Sequence, residues 1–298
     1  MIKKKYIIFG ANGYIGRHLV NTLILEGHSV KAYDVQESPI VEEALYFKNN
    51  LLDCDSLKLI DWDVDYVLFF SGITGTLSGF GDYQNFVQIN EISLLNMLNS
   101  IKESRFRPRV VYPSSRLVYE GGEKLLDESS PKKTKTIYAV NKLASECFLD
   151  VYSNAFDIPY TIFRIGVPYG NSIGSGYSYG TIGFLLNSAS DKGNISIYGD
   201  GSVRRTFTHV DDIVGQIIRA CNNINSINNT FNIIGENYSI KDVALLISKK
   251  YNCAVNYNSW PDMDYRIESG STAFNFDYLR KMIKYKCVFS LDSWIDRL

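Results

Sequence analysis

The stretch "KYIIFGANGYIG" (residues 5–16) constrains the fold more than any other part of the chain. The apolar run "YIIF" ends at Gly10, and Gly13 and Gly16 follow at three-residue intervals. A run without polar alternation suits a strand buried on both faces of a parallel sheet. Residues 14–26 then carry Ile15, Leu19 and Leu23 at helical spacing, and Gly27 supplies a C-terminal stop. Strand, glycine turn and helix in that order let the backbone approach a pyrophosphate closely, with a helix N-terminus to attract it. The spacing is GxxGxxG rather than GxGxxG, and the physical requirement is the same.

The pattern continues. "SVKAYD" (29–34), "DYVLFFSG" (65–72), "RVVYPSS" (109–115) and "PYTIFRIG" (159–166) read as further strands, with helical periodicity over 90–102 and 137–156. Strands alternating with helices predict an α/β fold, a Rossmann-type doubly wound parallel sheet. After residue 166 the texture changes. "GVPYGNSIGSGYSYG" is rich in glycine and tyrosine and reads as a loop. Shorter elements follow: "ISIYG", a helix from about Asp211, "FNIIG", and a helix in "SIKDVALLISKK" with Ser239 as its N-cap. The expectation is a dinucleotide-binding domain over 1–166 and a smaller C-terminal α/β substrate-binding lobe over 167–298.

Composition excludes several classes of partner. The 298 residues carry a net charge of −1, which offers no electrostatic attraction to nucleic acid or to an anionic membrane. The five cysteines (Cys54, Cys147, Cys221, Cys253, Cys287) are scattered, odd in number and form no CxxC pair. That pattern suits thiols in a reducing compartment and argues against a zinc site or a disulfide framework. With only three histidines, widely spaced, no metal site is expected. The opening apolar run is too short for a signal peptide, and no window approaches the roughly 18 apolar residues of a membrane span. The expected location is the cytoplasm.

Asp34 ends the second strand, beyond the last glycine of the loop. A carboxylate there accepts hydrogen bonds from adenosine ribose hydroxyls and repels a 2′-phosphate, and "DVQESP" places no arginine directly after it. NAD is favoured over NADP. Arg17 lies close in sequence and reads as a solvated helix residue.

"IYAVNKLASE" places Tyr138 and Lys142 four apart on one helix face. A neighbouring ammonium favours the phenolate and lowers a tyrosine pKa, which suits proton exchange with a sugar hydroxyl or a carbonyl. With 21 tyrosines in the chain, YxxxK alone means little. Its meaning comes from the glycine loop and from Ser115 at the end of a strand. Together these resemble the short-chain dehydrogenase/reductase superfamily, and more narrowly its extended branch, the NAD-dependent sugar-nucleotide epimerase/dehydratase family. "VYPSSRLVYE" resembles the family's serine strand and "TIYAVNKLASE" its catalytic helix. "IYGDGSVRRTFTHVDDIV" resembles the segment leading from the substrate lobe back to the cofactor domain, and "FDYLRKMIKYKCVFSLDSWI" the closing helices.

The resemblance implies roles. Ser115 would hydrogen-bond the reacting oxygen, Tyr138 would be the acid/base, and Lys142 would hold the nicotinamide ribose and tune Tyr138. Tyr14 and Ile15 would lie over the pyrophosphate, Asn50 and Leu51 near the adenine, Phe70, Ser71 and Gly72 along the cofactor, and Asn90 on a neighbouring helix. Arg205 matches the arginine that grips the nucleotide-sugar diphosphate. Arg266 is a second candidate for that grip, because planar guanidinium forks bind such oxygens bidentately. A segment over about 204–235 would return to the cofactor domain, and helices 90–102 and 137–156 would pair across a homodimer axis. Their apolar residues equally suit packing against the sheet.

The chain departs from the family pattern at Val167, Thr206 and Asn141, where relatives carry asparagine, aspartate and serine. It departs again at Arg116 and Leu117, where 4,6-dehydratases carry an Asp-Glu pair. Leu117 cannot exchange protons and Arg116 stays protonated, so dehydration by that route is not expected. Whether Arg116 reaches the substrate or caps a carboxylate stays open. The expected activity is a nucleotide-sugar 4-epimerase with NAD. The alternatives are an NAD(P)H-dependent 4-reductase of nucleotide 4-keto-6-deoxyhexoses and a non-catalytic dinucleotide sensor on the same fold.

Overall fold

The computed structural model describes residues 3–174 and 180–298, so residues 175–179 of the glycine- and tyrosine-rich stretch lie outside the described residues. Strand β1 (Lys5–Phe9) leads into α1 (Tyr14–Leu25) and β2 (Ser29–Asp34). Next come β3 (Leu45–Lys48), α2 (Cys54–Lys58), β4 (Tyr66–Phe69), α3 (Ser78–Gly81) and α4 (Tyr83–Val87). A π-helical turn over Gln88–Ile92 joins α5 (Ser93–Glu103), and β5 (Arg109–Ser115) runs directly into a 3-10 turn at Arg116–Val118. Then follow α6 (Ile137–Phe156), β6 (Tyr160–Ile165), β7 (Val167–Tyr169), α7 (Gly180–Lys192), β8 (Asn194–Tyr198) and β9 (Arg204–His209). The chain closes with α8 (Val210–Cys221), β10 (Asn229–Asn232), β11 (Glu236–Ser239), α9 (Ile240–Tyr251), β12 (Ala254–Asn258), α10 (Asp262–Ile267), α11 (Asp277–Ile283) and α12 (Leu291–Arg297).

Seven strands form one sheet in the order β10-β6-β5-β4-β1-β2-β3. The pairs β1–β2, β1–β4, β2–β3 and β4–β5 are all parallel. This is the Rossmann-type doubly wound sheet that the alternating pattern predicts. Tyr6, Ile7, Ile8 and Phe9 are all buried, as are the four residues of β4, because helices cover both faces of the central strands. The winding direction reverses at β1, and in such sheets the crevice at the carboxyl ends of the strands beside the reversal receives the ligand.

The chain groups into two compact units. The first comprises Met1–Ser115, Thr136–Phe163 and Cys221–Thr230. Its core packs Ile7, Phe9, Val67, Phe69 and Val110 with Leu94, Leu98 and Ile101 of α5 and Leu149 of α6. The second comprises Arg116–Lys135, Arg164–Ala220 and Phe231–Leu298. In it, β9 pairs antiparallel with β11 and parallel with β7, and β8 pairs parallel with β12. Ile182, Leu185 and Leu186 of α7, Phe207 of β9, and Val243 and Ile247 of α9 form its core. Ser239 caps α9 as its sequence position predicts. Its hydroxyl accepts from Asp242 N at 3.0 Å, and the Asp242 carboxylate accepts from Ser239 N at 3.0 Å.

Two features depart from the sequence pattern. Residues 167–169, read as loop, form β7, because pairing with β9 supplies what a three-residue run cannot signal. Residues 116–135 group with the second unit, and only 221–230 of the later chain groups with the first. The excursion is held by a buried polar knot. Arg164 Nη1 donates to Tyr119 Oη (2.8 Å) and to the Glu128 carbonyl (2.9 Å), and Tyr119 Oη donates to Asn232 Oδ1 (2.7 Å). Asn232 N in turn donates to the Glu128 carboxylate at 2.8 Å, whose pKa burial raises. A buried guanidinium with such partners fixes register because losing one partner strands a charge.

Candidate active site

The glycine loop is as tight as its sequence requires. Gly10 has φ +74°, and a Cβ there would stand 2.6 Å from the Phe70 backbone. A Cβ on Gly16 would meet the Gly10 carbonyl oxygen at 2.0 Å, so α1 begins hard against the loop. Helix α1 has no side-chain cap and no acidic residue in its first turn. Its first N–H groups are therefore presented to an incoming anion, and the positive end of the helix favours one. This cradle fits the pyrophosphate of a dinucleotide. Tyr14 and Ile15, half-buried, occupy the first turn. Arg17, expected as a solvated residue, is partly buried with its guanidinium 5.9 Å from the Tyr14 ring centroid, and burial lowers its pKa.

Asp34 stands at the end of β2, and its carboxylate accepts from Asn12 N (3.0 Å), Val35 N (2.8 Å) and Gln36 N (3.3 Å). Asn12 organises this end of the loop, although the sequence pattern assigns it no role. Its amide donates to Gln36 Oε1 (3.0 Å) and the Ser38 carbonyl (2.9 Å), and its oxygen accepts from Ile40 N (2.8 Å). It sits inside the glycine spacing, but its partners lie more than 20 residues away and leave no local signal.

Asn90 is buried in the π-helical turn, the kind of helix distortion that re-aims a side chain. Its oxygen accepts from Ile73 N at 2.9 Å and its amide donates to the Ile73 carbonyl at 3.1 Å, clamping the chain beyond Phe70, Ser71 and Gly72. A Cβ on Gly72 would meet Asn90 Oδ1 at 2.9 Å. Asn90 also donates to Asn141 Oδ1 (3.3 Å), and Asn141 donates to the Glu91 carboxylate. The departure at Asn141 is thus an integral hydrogen-bonding position. Asn50 is exposed and its oxygen accepts from Leu52 N at 3.0 Å, whereas Leu51 is buried and its carbonyl accepts from Asn96.

The first unit holds Ser115, Tyr138 and Lys142 together at the end of β5 and the start of α6. Thr136 caps α6 by accepting from Ala139 N at 3.1 Å, which starts the helix just before Tyr138 and places Tyr138 and Lys142 in its first two turns. Lys142 Nζ lies 5.7 Å from the Tyr138 ring centroid and 4.5 Å from that of Tyr112. It donates to the Pro113 carbonyl at 2.8 Å, two residues before Ser115. Burial lowers its pKa from 10.5 to about 7, and the nearby Glu146 carboxylate works against that shift. Tyr112 is fully buried, and burial pushes its phenol far above the ordinary range, so it stays neutral. Glu146, one turn beyond Lys142, accepts from the Ser114 hydroxyl and ties β5 to α6. Tyr138, Lys142 and Glu146 recur every fourth residue, a spacing that signals one face.

The second unit gathers the arginines. Arg205 Nη2 pairs with Glu268 Oε2 at 3.0 Å, and its Nη1 donates to Thr181 Oγ1 at 3.3 Å. Arg205 also bridges backbone-to-backbone with Thr272, whose hydroxyl accepts from Arg116 Nη1 at 2.9 Å. Thr272 therefore brings Arg116 and Arg205 to one place. Arg266 lies exposed at the end of α10. Val167 is buried in β7, and Thr206 is buried with its hydroxyl donating to Asn237 Oδ1 (2.6 Å) and accepting from Phe274 N (2.7 Å). These two departures from the family pattern serve packing and hydrogen bonding.

Comparison with known proteins identifies the family and the fold. Residues 6–234 match the model of the NAD dependent epimerase/dehydratase family. An uncharacterised UDP-glucose epimerase of Bacillus subtilis (strain 168) is 27% identical over 260 residues, covering 82% of this chain and 81% of that protein. A probable UDP-glucuronate 4-epimerase of Rhizobium meliloti is 24% identical over 234 residues, covering 72% and 67%. The fold matches UDP-glucuronic acid 4-epimerase from Bacillus cereus, solved with UDP-glucuronic acid and NAD. The TM-score is 0.85 at 22% identity, over 98% of this chain and 96% of that one. A glycine cradle at the sheet reversal, a strand-end serine and a Tyr-Lys helix, matched over residues 6–234, place the chain in the NAD dependent epimerase/dehydratase family of extended short-chain dehydrogenase/reductase enzymes.

Proposed function

We propose that this enzyme is an NAD-dependent 4-epimerase of a nucleotide hexose, with UDP-sugars as its substrates. The observation that carries the reading is the grouping of Ser115, Tyr138 and Lys142 at the end of β5 and on α6. The UDP-sugar relatives support the choice of base. Gly10, Gly13, Tyr14, Ile15 and Gly16 would hold the pyrophosphate of NAD, and Asp34 the adenosine ribose. Asn50, Leu51, Phe70, Ser71, Gly72 and Asn90 would line the remainder of the cofactor. NAD, when bound, supplies a reversible acceptor for the hydrogen on C4.

In the forward half-reaction Tyr138 takes the proton of the C4 hydroxyl as general base. Ser115 donates a hydrogen bond to the same oxygen as it becomes a carbonyl. The Lys142 ammonium beside the Tyr138 ring favours the phenolate electrostatically. After the 4-keto sugar presents its other face, Tyr138 returns the proton to the C4 oxygen. Arg205, with Arg116 and Arg266, would hold the diphosphate so that only the sugar turns. Leu117 supplies no group for elimination, which separates this reading from a 4,6-dehydratase.

A homodimer is part of the reading. Val140 and Val151 on α6 are 47% and 57% exposed, and with the exposed Cys147 they line one helix face at intervals of seven and four. The thiols of the five cysteines suit the reducing cytoplasm.

The test is to purify the protein, identify its bound dinucleotide, and follow UDP-sugars for conversion to their 4-epimers. Retained NAD with 4-epimer formation that Tyr138→Phe abolishes supports the reading. Stoichiometric consumption of NADPH by a 4-keto sugar would overturn it in favour of a reductase.

A further inference from the structure

The Arg205 guanidinium is only half satisfied in its own unit. Its Nη2 reaches one oxygen of Glu268 at 3.0 Å, and its Nη1 reaches Thr181 Oγ1 at 3.3 Å. Its Nε is buried and has no acceptor among the described residues. Nε and Nη2 form the edge of a guanidinium that grips an anion bidentately. Glu268 takes one tooth of that fork and leaves the other empty, because its second oxygen accepts from Gly270 N at 3.1 Å. Both side chains are largely withdrawn from water, at 11% and 17% exposure. A buried donor without an acceptor costs free energy until an acceptor arrives. A phosphate oxygen pair is shaped to take both teeth, and Glu268 stands where one of them must bind.

The surroundings suit an exchange of anions. Arg116 reaches Thr272, which is bridged to Arg205, and Lys135 Nζ donates to the Glu268 carbonyl at 2.5 Å. Arg266 is two residues before Glu268. Two cations, Arg205 and Lys135, therefore contact Glu268, and Arg116 joins them through Thr272. A carboxylate released from Arg205 keeps its Gly270 N–H partner and stays in a positive field.

We propose that Glu268 is a resident anion that occupies the diphosphate grip of Arg205 and is displaced when a nucleoside diphosphate binds. This rests on the reading of Arg205 as the diphosphate arginine. Glu268 thereby sets nucleotide-sugar affinity without touching the reacting atoms.

The experiment is calorimetric titration of the full-length protein loaded with NAD, using UDP and, separately, inorganic pyrophosphate. Glu268→Gln keeps shape and hydrogen bonding but removes the charge that must be displaced, and Glu268→Ala removes the occupant. Both should tighten binding of both probes by about tenfold, equivalent to about 1.4 kcal/mol. Arg205→Met should abolish the gain and weaken binding in either background. Unchanged or weaker binding in both Glu268 variants overturns the proposal and assigns Glu268 to orienting Arg205. Diphosphate binding that Arg205→Met leaves untouched overturns the reading of Arg205 itself, and the proposal with it.

Discussion

Lys142 offers the sharpest test of how the fold treats the side chains proposed to be catalytic. The folded protein holds this ammonium almost fully buried, with its pKa lowered from 10.5 to about 7 by desolvation. The opposing attraction comes from Glu146, while Tyr112 and Tyr138 present aromatic faces to the ammonium. The unfolded chain therefore binds one more proton than the folded chain wherever pH lies between those two values. Stability must rise with pH in that window and level off below it, where both states are protonated. At pH 7 the folded lysine is half charged, and at pH 9 it is neutral while the unfolded lysine is still charged. Integrating the proton difference over that interval yields about 2 kcal/mol. The perturbation is Lys142→Met, which keeps the length of the side chain and removes its titration. Urea unfolding of both proteins without added dinucleotide, from roughly pH 5.5 to roughly pH 9, as read by circular dichroism, supplies the difference in unfolding free energy. Wild type minus variant should stay nearly level below pH 6 and climb by about 2 kcal/mol from pH 7 to pH 9. A difference that stays level across pH 7 to 9 would refute the argument, since it requires a lysine that is equally charged in both states. The variant should also lose 4-epimerase turnover, because a thioether side chain carries no charge to favour the Tyr138 phenolate.

Three further outcomes follow from particular contacts. Glu146→Gln keeps the hydrogen bond from Ser114 but removes the carboxylate that raises the Lys142 pKa. Turnover at pH 8 should drop by about tenfold and the alkaline limb of the kcat profile should move to lower pH. KM for the nucleotide sugar should hold, and a change in KM alone with an unmoved profile would show a merely structural role. Gly16→Ala forces a Cβ against the Gly10 carbonyl oxygen at 2.0 Å, so it should destabilise the protein by about 1–3 kcal/mol and weaken NAD binding in a fluorescence titration. Wild-type affinity in that variant would mean that the loop and α1 do not close on the dinucleotide. For the homodimer proposed through α6, Val140→Glu combined with Val151→Glu should shift the mass in light scattering from dimer to monomer, with a dissociation constant raised by roughly a hundredfold. A dimer that survives both charges places the interface on another face.

Much of the fold is legible in the residues alone because its signals are local. The unbroken apolar run of β1, the glycine turn and the periodic helix α1 each depend on neighbours within a few positions. The same holds for Ser239 at the start of α9, whose capping partner Asp242 is three residues away. Tyr138 and Lys142 share a face because a helix repeats every 3.6 residues, so their proximity needs no tertiary information. β3 and β7 leave no such signal, because short strands at a sheet edge or beside a turn owe their existence to the strand they pair with. The excursion over 116–135 is equally silent, since the Arg164–Tyr119–Asn232 contacts that anchor it join residues more than 40 positions apart.

The chemistry divides in the same way. Residue types and spacing determine that this chain carries a glycine loop between a strand and a helix, and a tyrosine and a lysine on one helix face; their proposed roles, and those of the arginines, come from the family resemblance. Only the tertiary structure decides what those groups meet: Lys142 stripped of water beside Glu146, Asn12 bound to the turn after β2, and Arg205 paired with Glu268, 63 residues along the chain. Covalent neighbours dictate local conformation, whereas burial and charge pairing depend on which distant segments pack together. Desolvation and Coulomb energy act through space, and a linear sequence does not record distance.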